Sequence, residues 1–170
     1  QKYLIITAGA TGTGKSNLPN KVKDVVGLRV NFTDFIIDDK IQNNVYYKTA
    51  IGNLLQGQKN RDYDLSEDSH IKKLVKDPIF NDAMEEIYWN TRGYNRNKKQ
   101  KGLNVCSNVV DGPNIMCDRE FDIEIEKAFS LCENIVFEIT GDRPLGYDWI
   151  NMLINKCKTH NYKIYLAYSV

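Results

Sequence analysis

The chain has 170 residues, of which 42% are hydrophobic and 26% charged, and its formal net charge is +1. That length suits one domain with a sizeable core, and the near-neutral balance provides no global attraction to nucleic acid or to an anionic membrane. No apolar run approaches a membrane span and no signal-peptide pattern opens the sequence, so a cytoplasmic protein with no membrane contact is expected.

The first predicted element is a strand over about residues 2 to 8, carried by Tyr3-Leu4-Ile5-Ile6. Directly after it, Gly9-Ala10-Thr11-Gly12-Thr13-Gly14-Lys15-Ser16 match G-x-x-x-x-G-K-[ST] in full. Glycines at these positions let consecutive backbone N–H groups curl around a phosphate, and the helix that follows points its positive end at the same place. Lys15 then reaches the outer phosphates of a nucleoside triphosphate, and the Ser16 hydroxyl holds Mg²⁺. ATP and Mg²⁺ are the expected cofactors. The following helix is predicted from Gly14 to about Val26 with Gly27 ending it. Pro19 interrupts that helix, which calls for a kink or a displaced start.

Leu28-Arg29-Val30-Asn31-Phe32 forms the predicted second strand, followed by Phe35-Ile36-Ile37 running into Asp38-Asp39. A carboxylate after the second strand is placed to accept a proton from a hydroxyl substrate. Of the adjacent pair Asp38 is chosen, with helix capping by both as the competing role. Residues 40 to 56 look helical, with Ile41, Val45, Ile51, Leu54 and Leu55 as core positions. A polar loop is expected from 56 to 66, then helices over 67 to 76 and 78 to 91. Residues 93 to 102 form a basic, glycine-bounded stretch that reads as a connector or as a substrate-contacting lid. The region 57 to 117 is expected to be a helical and loop insertion that could cap a substrate, and 103 to 117 carry no clear pattern.

Order resumes with a helix over 118 to 132, whose apolar stripe is Phe121, Ile125, Ala128, Phe129 and Cys132. Ile135-Val136-Phe137-Glu138-Ile139 reads as a buried strand ending in a carboxylate, and an unpaired carboxylate there would be costly. Glu138 should therefore meet the Mg²⁺ shell, a substrate hydroxyl or a basic partner. Thr140, Asp142 and Arg143 follow, and the planar fork of Arg143 suits phosphate or carboxylate, including a loop salt bridge. A helix over 147 to 160 and a strand over 162 to 170 complete the reading. The cysteines, Cys106, Cys117, Cys132 and Cys157, lack zinc-ligand spacing and read as reduced thiols. His70 and His160 read as surface or capping residues.

Strands alternating with helices imply an α/β fold with a parallel sheet and right-handed crossovers. Ligands bind beyond the carboxyl ends of such strands. The loop at 9 to 16, Asp38/Asp39 and the segment Glu138 to Arg143 should therefore converge on one crevice.

With these residues in view, the chain resembles phosphate-loop kinases of the zeta-toxin and polynucleotide-kinase group. The loop Gly9 to Ser16 followed by Ile37-Asp38-Asp39 is similar to the polynucleotide kinases, where the first aspartate of such a pair is the general base. Asn134-Ile135-Val136-Phe137-Glu138-Ile139-Thr140, then a helix and Tyr162-Lys163-Ile164-Tyr165-Leu166-Ala167, is similar to the zeta-toxin-like kinases, with Glu138, Thr140 and Arg143 at matching positions. The resemblance implies a P-loop NTPase of nucleoside-kinase-like, three-layer α/β/α architecture. The implied activity is ATP- and Mg²⁺-dependent phosphorylation of a hydroxyl on a small molecule or nucleotide. Lys15 and Asp38 would be catalytic, and Asp39, Glu138, Thr140 and Arg143 would bind the acceptor.

The sequence departs from that pattern at Ile139 in place of a glycine, at Arg143 one residue further along, and at Asn17 and Pro19. Those kinases carry lid arginines after the fourth strand, whereas this sequence ends at Val170 and begins with Gln1. It is therefore expected to be a piece of something longer. A nucleotide-binding or degenerate domain within a larger protein assembly is the second reading. A polynucleotide acceptor is open but disfavoured by the near-neutral charge. A GTPase switch lacks its guanine-reading Asn-Lys-x-Asp.

Overall fold

The computed structural model describes residues 1–10, 12–59, 61, 63–93, 117–139 and 144–169. The described residues are α/β, with four strands and seven α-helices. The chain divides into two compact units, one made of Gln1–Ile37 with Glu120–Val170 and the other of Asp38–Arg119.

The first unit holds the sheet. Strands β1 (Lys2–Gly9), β2 (Thr33–Ile36), β3 (Ile135–Ile139) and β4 (Tyr162–Ser169) lie in the order β2-β3-β1-β4. All three pairings are parallel, with Leu4 opposite Ile135 and Ile164, and Thr7 opposite Glu138 and Ala167. Central β1 and β3 are buried along most of their length because both faces are covered, which is why they read as unbroken apolar runs. Helix α1 (Leu18–Val26) packs on β1 and β4. Helices α6 (Cys117–Ser130) and α7 (Pro144–His160) bring Phe121 and Trp149 to one sheet face, against Phe137. The path from β1 to β2 runs one way along the sheet, and the steps from β2 to β3 and from β3 to β4 run the other. Right-handed crossovers then put α1 on one face and α6 with α7 on the opposite face. The arrangement is compatible with a three-layer α/β/α fold.

The core on the α6/α7 face is aromatic. Phe137 is fully buried, with ring centroids 5.7 Å from Phe121, 6.3 Å from Phe35 and 5.4 Å from Trp149. The Phe121 and Trp149 rings meet Phe137 edge-to-face and Phe35 stacks on it, contacts that add roughly 0.5–1.5 kcal/mol per pair beyond simple burial.

The second unit contains α2 from Asp38 onward (α2 is Ile37–Asn43), α3 (Val45–Lys59), α4 (Asp68–Leu74) and α5 (Pro78–Arg92). Helix α3 packs on α5. Asp77 caps α5 by accepting a hydrogen bond from the Ile79 N–H at 2.9 Å, Pro78 occupies the first turn, and Gly93 ends the helix in the left-handed region. Buried Arg92 makes a two-pronged pair with Asp118, Nε to Oδ1 at 2.9 Å and Nη2 to Oδ2 at 3.0 Å, and its guanidinium lies over the Trp89 ring. Burial alone would lower the pKa of Arg92, but the charge of Asp118 and its hydrogen bonds outweigh burial and raise it.

Several expectations are corrected. Residues 28 to 32 are not a strand; β2 begins at Thr33, the first residue in register with β3. Arg29 and Val30 are exposed there, and Phe32 is taken up under the Lys23 ammonium. The helix expected from Gly14 starts at Leu18, so Pro19 falls in the first turn, where no donor is lost. Lys15–Asn17 form a single 3₁₀ turn instead. The helix expected over 40 to 56 is two helices parted at Asn44, whose Oδ1 accepts from the Tyr47 N–H at 3.0 Å. Val45, expected in the core, is 77% exposed because it opens α3 at that break. Helix α3 also runs to Lys59, into the expected loop. Cys132 drops out of the α6 stripe, since the helix ends at Ser130 and Cys132 turns with a positive φ of 54°. Ile79 is exposed beside buried Phe80. Helix α7 starts three residues before the expected Tyr147.

Candidate functional site

Strand order locates the site before any side chain does. Adjacent strands β1 and β3 send their crossovers in opposite directions, so the switch point at which ligands bind in such sheets lies beyond their carboxyl ends. Residues 9 to 16 leave β1 at that point, and Glu138 lies near the end of β3.

The loop's backbone follows from its glycines. Gly12 and Gly14 have φ of 82° and 77°, the left-handed region that side-chain-bearing residues disfavour, and a Cβ built on either meets nothing within 4 Å. The space in front of both is open. Gly9 is a glycine for another reason, since a Cβ there would sit 2.7 Å from the Ser169 carbonyl oxygen. The Thr13 hydroxyl donates to the Ala10 carbonyl at 2.7 Å, and the Ser169 hydroxyl donates to the Thr13 carbonyl, so the end of β4 props the loop.

Lys15 is buried at the start of the 3₁₀ turn, and its Nζ lies 3.6 Å from Glu138 Oε1. Of the three kinds of partner expected for Glu138, this is the basic one. Thr7, the register partner of Glu138 on β1, is fully buried, and its Oγ1 has no hydrogen-bond partner among the described residues. Register partners in a parallel pair present their side chains to the same sheet face. Thr7, Glu138 and Lys15 therefore share one polar spot under the loop. An unmade bond at a buried hydroxyl is costly unless a ligand or water completes it. The open left-handed glycines, the buried lysine and this orphan hydroxyl fit a phosphate-bearing ligand with a cation, which Ser16, exposed in the same turn, could help to hold.

Asp38 and Asp39 lie in the first turn of α2, are exposed, and belong to the second unit. The Asp39 carbonyl accepts from the Asn43 side chain at 2.9 Å. Thr11, Thr140, Asp142 and Arg143, with Cys106 and the stretch 94–116, lie outside the described residues. Cys117, Cys132 and Cys157 are free thiols, and burial raises the Cys157 pKa to about 11. His70 accepts a hydrogen bond from the Asp64 N–H at 2.8 Å, and His160 packs on Phe129. Among the described residues, no group of three or more His, Cys, Asp or Glu side chains could hold a metal, and no helix is long and apolar enough to cross a membrane.

Sequence reasoning missed Thr7 and Ser169. Thr7 had a signal, being a hydroxyl inside an apolar strand just before the loop. Ser169 had none, because its contact spans 156 positions of sequence. A second concavity, lined by Lys2, Asn31, Phe32, Thr33, Leu131, Cys132, Glu133 and Asn134, opens at the amino ends of the strands. Its polar groups are engaged in holding the fold, as with Asn134 accepting from the Tyr3 N–H at 2.9 Å and Thr33 donating to Glu133 at 2.9 Å.

No family model, curated protein or solved structure matches this chain.

Proposed function

We propose that the chain is an ATP- and Mg²⁺-dependent phosphotransferase of the P-loop NTPase fold, acting on a hydroxyl of a small molecule or nucleotide. The observation that supports it most is the loop at the β1–β3 crevice, with Gly12 and Gly14 in left-handed conformations and Lys15 buried beneath it. ATP supplies the phosphoryl group and Mg²⁺ offsets its charge. In this reading the loop's backbone N–H groups and Lys15 grip the phosphates, and Ser16 helps to hold the cation. Phosphoryl transfer is mainly a matter of such positioning and charge. Asp38 is assigned the proton of the acceptor hydroxyl, on the strength of its place in the chain two residues after β2. Asp39, Glu138, Thr140 and Arg143 are assigned to the acceptor.

The test is binding of labelled ATP with Mg²⁺, then transfer to a panel of nucleotide sugars and 5′-hydroxyl oligonucleotides, beside Lys15→Ala. Transfer should fall by about 10²–10³ in the variant, the scale for removing one preorganised donor at a developing charge. Binding without transfer to any acceptor would select a nucleotide-binding domain within a larger assembly. Absence of binding would overturn both readings.

A further inference from the structure

Thr7 stands where a valine would serve the sheet better. Its neighbours along β1, Leu4, Ile5, Ile6 and Ala8, are all buried and apolar. Valine has nearly the same shape, suits a strand equally well and brings no polar atom into the core. The Thr7 side chain is instead fully buried with its hydroxyl unpartnered among the described residues. Its register neighbours are Ala167 on β4, which has no polar side-chain atom, and Glu138 on β3, whose carboxylate pairs with Lys15. A hydroxyl left in this condition weakens the fold.

The Lys15 ammonium has three N–H donors. Its contact with Glu138 is an ion pair at 3.6 Å, longer than a hydrogen bond, and the Lys15 side chain is only 9% exposed, so water offers it few acceptors. We propose that Thr7 is a positioning residue for Lys15: with a phosphate in the loop, the Thr7 hydroxyl accepts one ammonium N–H, directly or through one buried water, and so fixes the direction of the other two. The inference rests on reading residues 9 to 16 as a phosphate loop. Glu138 keeps its own contacts throughout and takes the second donor, while the third points at a phosphate oxygen. A lysine needs such a stop because its charge sits on a flexible stem with freely rotating donors. The arrangement makes the bond that Thr7 lacks. The hydroxyl therefore destabilises the fold by itself and stabilises the liganded state.

The test compares Thr7→Val and Thr7→Ser with the native full chain, by thermal melting without ligand and by calorimetric titration with tripolyphosphate in excess MgCl₂. Thr7→Val keeps the shape and removes the hydroxyl. It should melt at or above the native temperature and bind about tenfold more weakly, the scale of one hydrogen bond to a charged group. Thr7→Ser keeps the hydroxyl and removes a buried methyl group, so it should melt lower and bind as the native protein does. A merely structural residue would move both readouts together, whereas a positioning hydroxyl crosses them. Native affinity in Thr7→Val, equal loss of affinity in the two variants, or a Thr7→Val protein that melts lower or fails to fold would each overturn the role of Thr7 and leave the phosphate loop standing. Native protein that binds no tripolyphosphate would overturn the phosphate-loop reading itself.

Discussion

The two ends of the sheet are built from the same four strands and treat their polar groups in opposite ways. At the amino end, hydrogen bonds are made. Asn134 accepts from the Tyr3 N–H at 2.9 Å, donates to the Asn31 carbonyl at 3.3 Å, and takes the Thr33 N–H on its own carbonyl at 2.8 Å. The buried Tyr162 hydroxyl donates to the Glu133 carbonyl at 2.6 Å. At the carboxyl end the glycines hold left-handed backbone, a lysine is buried and a threonine hydroxyl lacks a partner. Satisfied groups stabilise the native state, whereas an unsatisfied buried one persists only when the surrounding structure over-determines it. The amino end holds the sheet together, and the carboxyl end is the one that the proposed phosphate site would complete.

The largest effect expected is one that removes the comparison altogether. Phe137→Ala empties the aromatic core shared by both ends, and should cost about 3–5 kcal/mol, read as a lower denaturation midpoint with anion binding lost in parallel. A variant that loses anion binding while keeping its midpoint would mean that the loop end does not rest on this core. Asn134→Ala is the sharper cut. It removes the two side-chain bonds of the amino-end staple and leaves the half-buried Tyr3 N–H without that partner, at a cost of about 0.5–1.5 kcal/mol, while tripolyphosphate affinity at the other end should stay unchanged.

The smallest effect is a pH dependence. Burial raises the Cys157 thiol from 9.0 to about 11. Burial first, then nearby Cys132, Cys157 and Glu133, raises the Tyr162 phenol from 10.0 to about 12. Both groups are neutral when protonated and hold their protons more tightly when folded, so the unfolded chain loses them first as pH rises. Their contribution is fully present below about pH 9 and declines progressively between about pH 9 and 12. Urea midpoints measured across that range should fall, and Cys157→Ala should remove the lower part of the decline.

Much of this was legible along the chain. β3 was read over the five residues it occupies, because Ile135 to Ile139 is a short apolar run bounded by polar turns, the local signal of a buried strand. The turn after β1 was legible because Gly12 and Gly14 take the left-handed backbone that glycine accepts most readily. Pro19 signalled either a kink or a displaced helix start, and the start is displaced to Leu18. The misses share a cause. Val30 and its neighbours have strand propensity, but a strand exists only where a partner's backbone is within reach, and β3 reaches only as far as Thr33. The break at Asn44 was hidden because an asparagine in a helical pattern is ordinary until its side chain caps the next turn.

The sequence by itself determined the alternation of strands and helices, the parallel sheet this implies, and the glycine-shaped turn after β1, since each depends on residues within a few positions of one another. The tertiary structure alone decided that β3 lies between β2 and β1, that Glu138 meets Lys15, and that the Thr7 hydroxyl is buried beside them. Those outcomes depend on pairings between residues more than a hundred positions apart, and neither hydrophobic period nor turn chemistry encodes a partner at that distance.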